Sequence, residues 1–378
     1  MKAPAKSNAS SSRALSLASP TTAREDPSAL FALLEEHEHE QLSLCYEPSS
    51  GYRGIIVIHD STLGPALGGT RFWNYGSDRE ALIDCLRLAR GMTYKAAVAG
   101  LNLGGGKSVI IGDNKTRNRE PVFRAHGRHV QAMGGRYITA EDVGTSTGDM
   151  EYIKAETDHV TGLIGKSGDP SPVTAFGVYR GIKACAKHRY GSDSLNGKTV
   201  AIQGCGHVGY YLAQALHAEG ARLTVADIDP ARVQKVVDDF RAQAVKPDEI
   251  IGVKADIFAP CALGGIINDD TLPKLKAEIV AGGANNQLAE ERHGDALEKR
   301  EITYAPDYVI NGGGLINVNA ELQGWTMERA RNKAGEIYDT ILRVFEIAEE
   351  EGIPSYRAAD RLAEQRIAAI AKVRQNFV

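Results

Sequence analysis

The chain has 378 residues, enough for two domains that each bury a core. Its 43% hydrophobic and 24% charged residues are ordinary for a globular protein, and a net charge of −4 argues against a general nucleic-acid binder, which is usually basic. No apolar run reaches the ~18 residues of a membrane span, and five scattered cysteines without a C-x-x-C pair read as reduced, packed thiols of a cytoplasmic protein rather than a disulfide frame or zinc site.

Residues 1–25 carry Lys2, Lys6, Arg13 and Arg24 and no acid before Glu25. That composition predicts a disordered tail. A basic, Ser-rich transit peptide is the alternative, but no clear amphipathic helix is visible. From Asp26 onward order is expected. Leu30, Phe31, Leu33 and Leu34, with acids on the other side, predict an amphipathic helix over 27–37. Residues 42–46 and 54–59 read as strands flanking a turn. Asp78–Val98 reads as one long helix with Asp78 as its N-cap. A short strand over 108–111, a helix over 120–133 and a strand over 136–138 complete a first α/β domain, 26–165. Glycine and proline signals over 165–172 mark a junction. Beyond it, helices at 175–189, 208–218 and 230–243 alternate with strands at 199–203, 223–226, 257–258 and 279–280. This is the pattern of a doubly wound parallel sheet over 172–325. Helices at 327–350 and 358–373 form a last segment, 326–378, expected to bridge back to the first domain.

Gly204-Cys205-Gly206-His207-Val208-Gly209 matches G-x-G-x-x-G and has the context such a match requires. A β-branched strand precedes it, a helix follows, and a second strand ends at Asp227. Gly204 permits the tight turn, Gly206 lets a pyrophosphate approach the backbone, and Gly209 lets helix and strand pack closely. The helix N-terminus offers free N–H groups to phosphates. Asp227 can accept hydrogen bonds from ribose hydroxyls and would repel a 2′-phosphate, so NAD is favoured over NADP. A Rossmann domain for another nucleotide, or for none, is the competing reading.

A second cluster runs from Gly91-Met92-Thr93-Tyr94-Lys95 to Gly104-Gly105-Gly106-Lys107-Ser108. Its end imitates a P-loop, but that motif needs glycine where Leu101 stands. Lys107 is expected where a glycine loop enters a strand, and Lys95 at the end of a helix. A lysine in low-dielectric surroundings beside a second cation loses its proton readily and can act as a base. Lys95 would stay charged and hold a carboxylate. Two surface lysines flanking a flexible loop is the other reading that spacing allows. Asp142, in Thr139-Ala140-Glu141-Asp142, follows a strand and is placed to face a cleft. A turn or cap acid fits equally. Asn285-Asn286-Gln287 and Asn311 to Gly314 lie where a nicotinamide amide would need polar partners.

Several of these runs, with 63–71, 89–95, 100–107, 137–144, 256–268 and 304–317, resemble the glutamate/leucine/phenylalanine/valine dehydrogenase family, most closely its leucine-oxidising members. The resemblance covers the chain from about Leu30. It implies Lys107 as catalytic base, Lys95 as the substrate-carboxylate ligand and Asp142 as the acid relaying protons at the substrate nitrogen. It implies Gly68, Gly69 and Met92 in the substrate site and Asn286 as the residue positioning nicotinamide or substrate. The side-chain pocket would be Leu67, Ala140, Thr174, Leu315 and Val318. Leu315 departs from the valine common there, so leucine, valine, isoleucine and phenylalanine stay unranked on discrimination of one methylene, with leucine preferred. The resemblance further implies an NAD-dependent enzyme without a metal ion that forms a homo-oligomer, often an octamer. A non-catalytic NAD-binding module is the alternative of a different class.

Overall fold

The computed structural model describes residues 28–166 and 168–375. The tail expected over 1–25 lies outside the described residues. Helix α1 (Ser28–Glu35) leads into the antiparallel strands β1 (Gln41–Glu47) and β2 (Tyr52–Asp60). There follow β3 (Ala66–Trp73), α2 (Asp78–Val98), β4 (Gly104–Ile111), α3 (Arg119–Ala132), β5 (Tyr137–Glu141) and α4 (Thr147–Lys154). The sheet order is β1-β2-β4-β3-β5. The three strands β4, β3 and β5 run parallel, and β2 is antiparallel to β4.

Two local expectations are corrected here, and one strand appears that the pattern did not predict. Ser77, not Asp78, caps α2, accepting the Glu80 N–H, while Asp78 sits in the first turn, where an acid suits the helix dipole. Strand β3 has no alternating pattern to betray it, because nearly all of it is buried on both faces. Strand β4 starts at Gly104 rather than at residue 108, so the glycine run belongs to the sheet. A Cβ on Gly105 would collide with the backbone nitrogen of Thr93 in α2, and one on Gly106 would lie 2.8 Å from the Tyr137 ring. These glycines admit neighbouring elements.

The second sheet follows α5 (Ser171–Tyr190). It is built from β6 (Thr199–Gln203), α6 (His207–Ala218), β7 (Arg222–Ala226), α7 (Pro230–Phe240), β8 (Gln243–Ala244), β9 (Ile257–Pro260), β10 (Ile279–Val280), α8 (Glu291–Lys299) and β11 (Thr303–Tyr304). Its order, β11-β10-β9-β6-β7-β8, is parallel throughout. That is the doubly wound dinucleotide order, with the switch point between β6 and β9. Helix α7 stops at Phe240, short of the expected 243, because Arg241 turns left-handed with φ 55°.

The chain ends in α9 (Asp307–Ile310), α10 (Gly313–Gln323), α11 (Met327–Gly335), α12 (Ile337–Glu351) and α13 (Ser355–Gln375). The single helix expected over 327–350 is two, divided at Glu336 after Gly335. One buried cluster joins Leu67, Leu101 and Leu103 of the first half to Val178, Leu212, Leu315 and Ile341 of the second. Burial of such side chains contributes about 25 cal/mol per Å². Arg366 of α13 reaches the end of α2, donating to the carbonyls of Ala97 (3.0 Å) and Leu101 (2.7 Å). All five cysteines are free. Among the described residues no helix is long and apolar enough to cross a membrane.

Candidate active site

Parallel strands present their C-terminal ends to a common edge, and the first sheet uses that edge for Asp142. The residue follows β5, and its N–H donates to Thr145 Oγ1 (2.8 Å), while that hydroxyl also bonds the Thr70 carbonyl of β3. The turn is thus tied to the neighbouring strand. Gly144 adopts φ +80° there, and a Cβ on it would strike the Phe72 carbonyl.

Lys107 projects from β4, buried to 5% exposure, and donates to Asp142 Oδ2 at 2.7 Å. Arg71 of β3 donates to the same oxygen at 3.1 Å and to Asp84 at 2.7 Å. Burial pushes Asp142 up, but the charge and hydrogen bond of Lys107 and the charge of Arg71 outweigh it and hold the carboxyl below its ordinary value. Asp142 is therefore an anion between two cations. Gly69 adjoins it, since a Cβ there would lie 2.8 Å from Asp142 Cβ, and Gly68 backs onto the Gly106 carbonyl.

Lys95, half-buried near the end of α2, donates to Asn311 Oδ1 at 2.7 Å. Asn311 in turn donates to Asn285 Oδ1 at 2.7 Å. A polar chain therefore runs from the first half of the molecule into the loop after β10. Burial lowers Lys95 to about 8; Asp307 opposes the shift and Lys107 adds to it. Asp307 is itself pushed up by burial, and its carboxylate accepts the Gln287 N–H at 2.7 Å.

Ala140, Asp142 and Val318 line one cavity of about 580 Å³ with Leu163, Ile164 and Asn317. Leu67 and Leu315 are buried in the core cluster behind, with Met92 partly buried against it. Thr174 is buried and its hydroxyl donates to the Pro170 carbonyl at 2.9 Å. Asn286, left-handed at φ 50°, faces a different cavity, of about 530 Å³, with Arg90, Tyr94 and Asp307.

At the switch point, Gly204 has φ +97° and a Cβ on Gly209 would strike the Gly204 carbonyl, so both need glycine. Beside Gly206 only Arg232 comes within 4 Å of such a Cβ, at 3.8 Å. No packing requires glycine there, and the open face fits a pyrophosphate approaching the backbone. No side chain caps α6 at Gly206, which leaves its N-terminal N–H groups to a ligand. Asp227 Oδ2 accepts the Cys205 N–H at 2.6 Å and Oδ1 that of Asp229 at 2.9 Å, which fixes the carboxylate at the strand end. His207 pairs with Asp169 at 2.9 Å, and Val208 packs against the core.

Sequence reasoning missed Arg71, whose only signal is a cation on a glycine-bearing strand. It missed Thr161, fully buried beside the cavity wall, with a hydroxyl that has no partner among the described residues. It also missed Ile228 and Leu263, 89% and 85% exposed just past β7 and β9 on either side of β6. Nearly bare aliphatic side chains at a crevice are a signal for a flat apolar ligand.

Residues 39–159 match the Glu/Leu/Phe/Val dehydrogenase dimerisation domain, and residues 165–231 and 224–375 match Glutamate/Leucine/Phenylalanine/Valine dehydrogenase. The chain is 58% identical to leucine dehydrogenase of Geobacillus stearothermophilus, over 92% of this chain and 96% of that protein. It is 48% identical to valine dehydrogenase of Streptomyces coelicolor, over 87% and 92%. The crystal structure of L-tryptophan dehydrogenase from Nostoc punctiforme superposes with a TM-score of 0.84 at 46% identity, covering 91% of this chain and 99% of that one. This chain belongs to the Glu/Leu/Phe/Val dehydrogenase family and is an amino-acid dehydrogenase.

Proposed function

We propose that the enzyme oxidises a branched-chain aliphatic L-amino acid, leucine foremost, to its 2-oxo acid and ammonia with NAD as acceptor. The observation that carries this reading is Asp142, paired with Lys107 behind it, at the wall of a cavity whose other walls include Ala140, Leu163, Ile164 and Val318. No lysine or arginine lines that cavity among the described residues. A glutamate side chain would bury its carboxylate there unpaired, which is costly, whereas an isobutyl group gains about 25 cal/mol per Å².

NAD, when bound, supplies the acceptor for the hydride that leaves the substrate Cα. Gly204, Gly206 and Gly209 would seat its pyrophosphate, Asp227 its ribose hydroxyls, and Ile228 and Leu263 would cover its adenine. Lys95 holds the substrate carboxylate, Asp142 exchanges protons with the substrate nitrogen, and Lys107 takes a proton from the water that adds to the oxidised Cα. Loss of ammonia then leaves the 2-oxo acid. The name of the matched dimerisation domain supports a homo-oligomer.

The test is a panel of L-amino acids assayed with NAD and with NADP by NADH or NADPH absorbance. Leucine with NAD should give the highest kcat/KM, and glutamate a value lower by about 100-fold or more. Lys107→Ala should lower kcat by about 10²–10⁴-fold while NAD still binds. NAD binding without turnover of any amino acid would leave the non-catalytic module instead.

A further inference from the structure

Helix α10 carries Val318, which lines the 580 Å³ cavity, and one turn further on Glu321, on the same helix face. The Glu321 carboxylate reaches the 162–164 segment, which lines the same cavity. Its Oε1 accepts the N–H of Gly162 at 3.1 Å and of Leu163 at 3.4 Å, and its Oε2 lies 3.3 Å from the Gly162 nitrogen. Gly162 adopts φ +81°, the left-handed conformation that turns successive amides toward one anion. Leu163 and the next residue, Ile164, line the cavity together with Val318. The same loop is held from the first half of the molecule at both sides. The Thr161 N–H donates to the Thr139 carbonyl at 2.9 Å, and the Ile164 N–H to Glu151 at 2.9 Å.

We infer that Glu321 is a positioning residue that sets the width of the substrate side-chain pocket. It does so by tying the 162–164 wall to the helix bearing Val318. The inference rests on the reading that this cavity receives the amino-acid side chain. A carboxylate accepting two backbone amides is a charge-assisted tie, stronger than a neutral one. Without it the two walls separate, large side chains gain room, and small ones lose contact. Selectivity then changes although no residue that touches substrate has been altered.

The experiment compares wild type with Glu321→Ala, Glu321→Gln and Glu321→Asp. Glu321→Ala should raise the kcat/KM ratio of L-phenylalanine over L-valine about tenfold. The KM for leucine should rise more than kcat falls, as expected where binding is lost and chemistry is kept. Glu321→Gln keeps one acceptor oxygen and should recover most of the wild-type ratio. Hydrogen exchange of the amides over 161–165 should speed up in Glu321→Ala and recover in Glu321→Gln. An unchanged ratio or unchanged exchange in a folded Glu321→Ala overturns the inference, as does a Glu321→Gln enzyme as altered as the alanine variant. If Glu321→Ala does not fold, Glu321→Asp, one methylene shorter, carries the same expectations. Wild-type inactivity on every amino acid would sink the functional reading, and exchange alone would then decide whether Glu321 holds the loop.

Discussion

Asp142 Oδ2 serves two cations at once, Lys107 and Arg71, while Lys95 stands apart with amide partners. This division matters for pH. With burial lowering Lys95 to about 8, its ammonium begins to be lost in mildly alkaline solution before substrate arrives. Only the ammonium attracts a substrate carboxylate. The kcat/KM of the free enzyme should therefore fall as pH rises through about 8, and Lys95→Arg, whose guanidinium stays charged, should move that limb to higher pH. A pH profile of both forms checks this. The sign for stability is opposite. Unfolded chains bind the extra proton between about 8 and the ordinary 10.5, so this group's contribution to stability rises with pH across that window. Local signals around Lys107 and Asp142 left surface lysines and a turn acid equally open, and the family resemblance alone put both in one site, where the fold brings them within 2.7 Å. Arg71 was not legible in the sequence, since a lone basic residue inside a strand looks like any solvated side chain until the fold brings Asp142 beside it.

At the scale of elements, the contact between α2 and β4 governs the spacing of the two lysines. Gly105 of β4 packs its bare Cα against Thr93 of α2, two residues from Lys107 on one side and from Lys95 on the other. A methyl group at Gly105 must push helix and strand apart. Gly105→Ala should cost about 1–3 kcal/mol in a urea unfolding series and lower kcat/KM in the fraction that remains folded. The glycine run was read as a loop because glycine is usually punctuation in sequence. Here it is close packing, a property of two elements that neither shows alone. The fingerprint after β6 was legible for the converse reason. Its turn, strand and helix are contiguous, so local spacing contains the geometry.

For the whole molecule, the parallel order of the second sheet follows from simple alternation of strands and helices, and the sequence pattern carried it. The first sheet mixes directions and inserts β3 between β4 and β5, a pairing fixed by long-range contacts rather than by any period. The same holds for the return of α13 to α2. Arg366 supplies donors to carbonyls of Ala96, Ala97 and Leu101 and to Asn102 at and just past the C-terminal end of α2, adding to the backbone bonds that Gly100 and Leu101 give Ala97 and Ala96 there. Arg366→Met keeps the stem but removes the donors. It should lower stability by about 1–3 kcal/mol and raise the KM for leucine more than it lowers kcat, because Lys95 lies on the last turn of that helix. Thermal unfolding and steady-state kinetics together test it.

That return has a consequence for how the protein is made. A ribosome delivers α2 and all strands of the first sheet long before Arg366, which lies about 270 residues downstream of Ala96. Throughout that interval the end of the helix bearing Lys95 has only the backbone bonds of residues 99–101 to hold it. The nascent first half can form its sheet, since domains fold as units during synthesis, but the last turn of α2, which bears Lys95, gains the Arg366 bonds only when α13 emerges and docks. The support for the end of α2 is thus completed by a segment made about 270 residues later rather than by its neighbours in the chain.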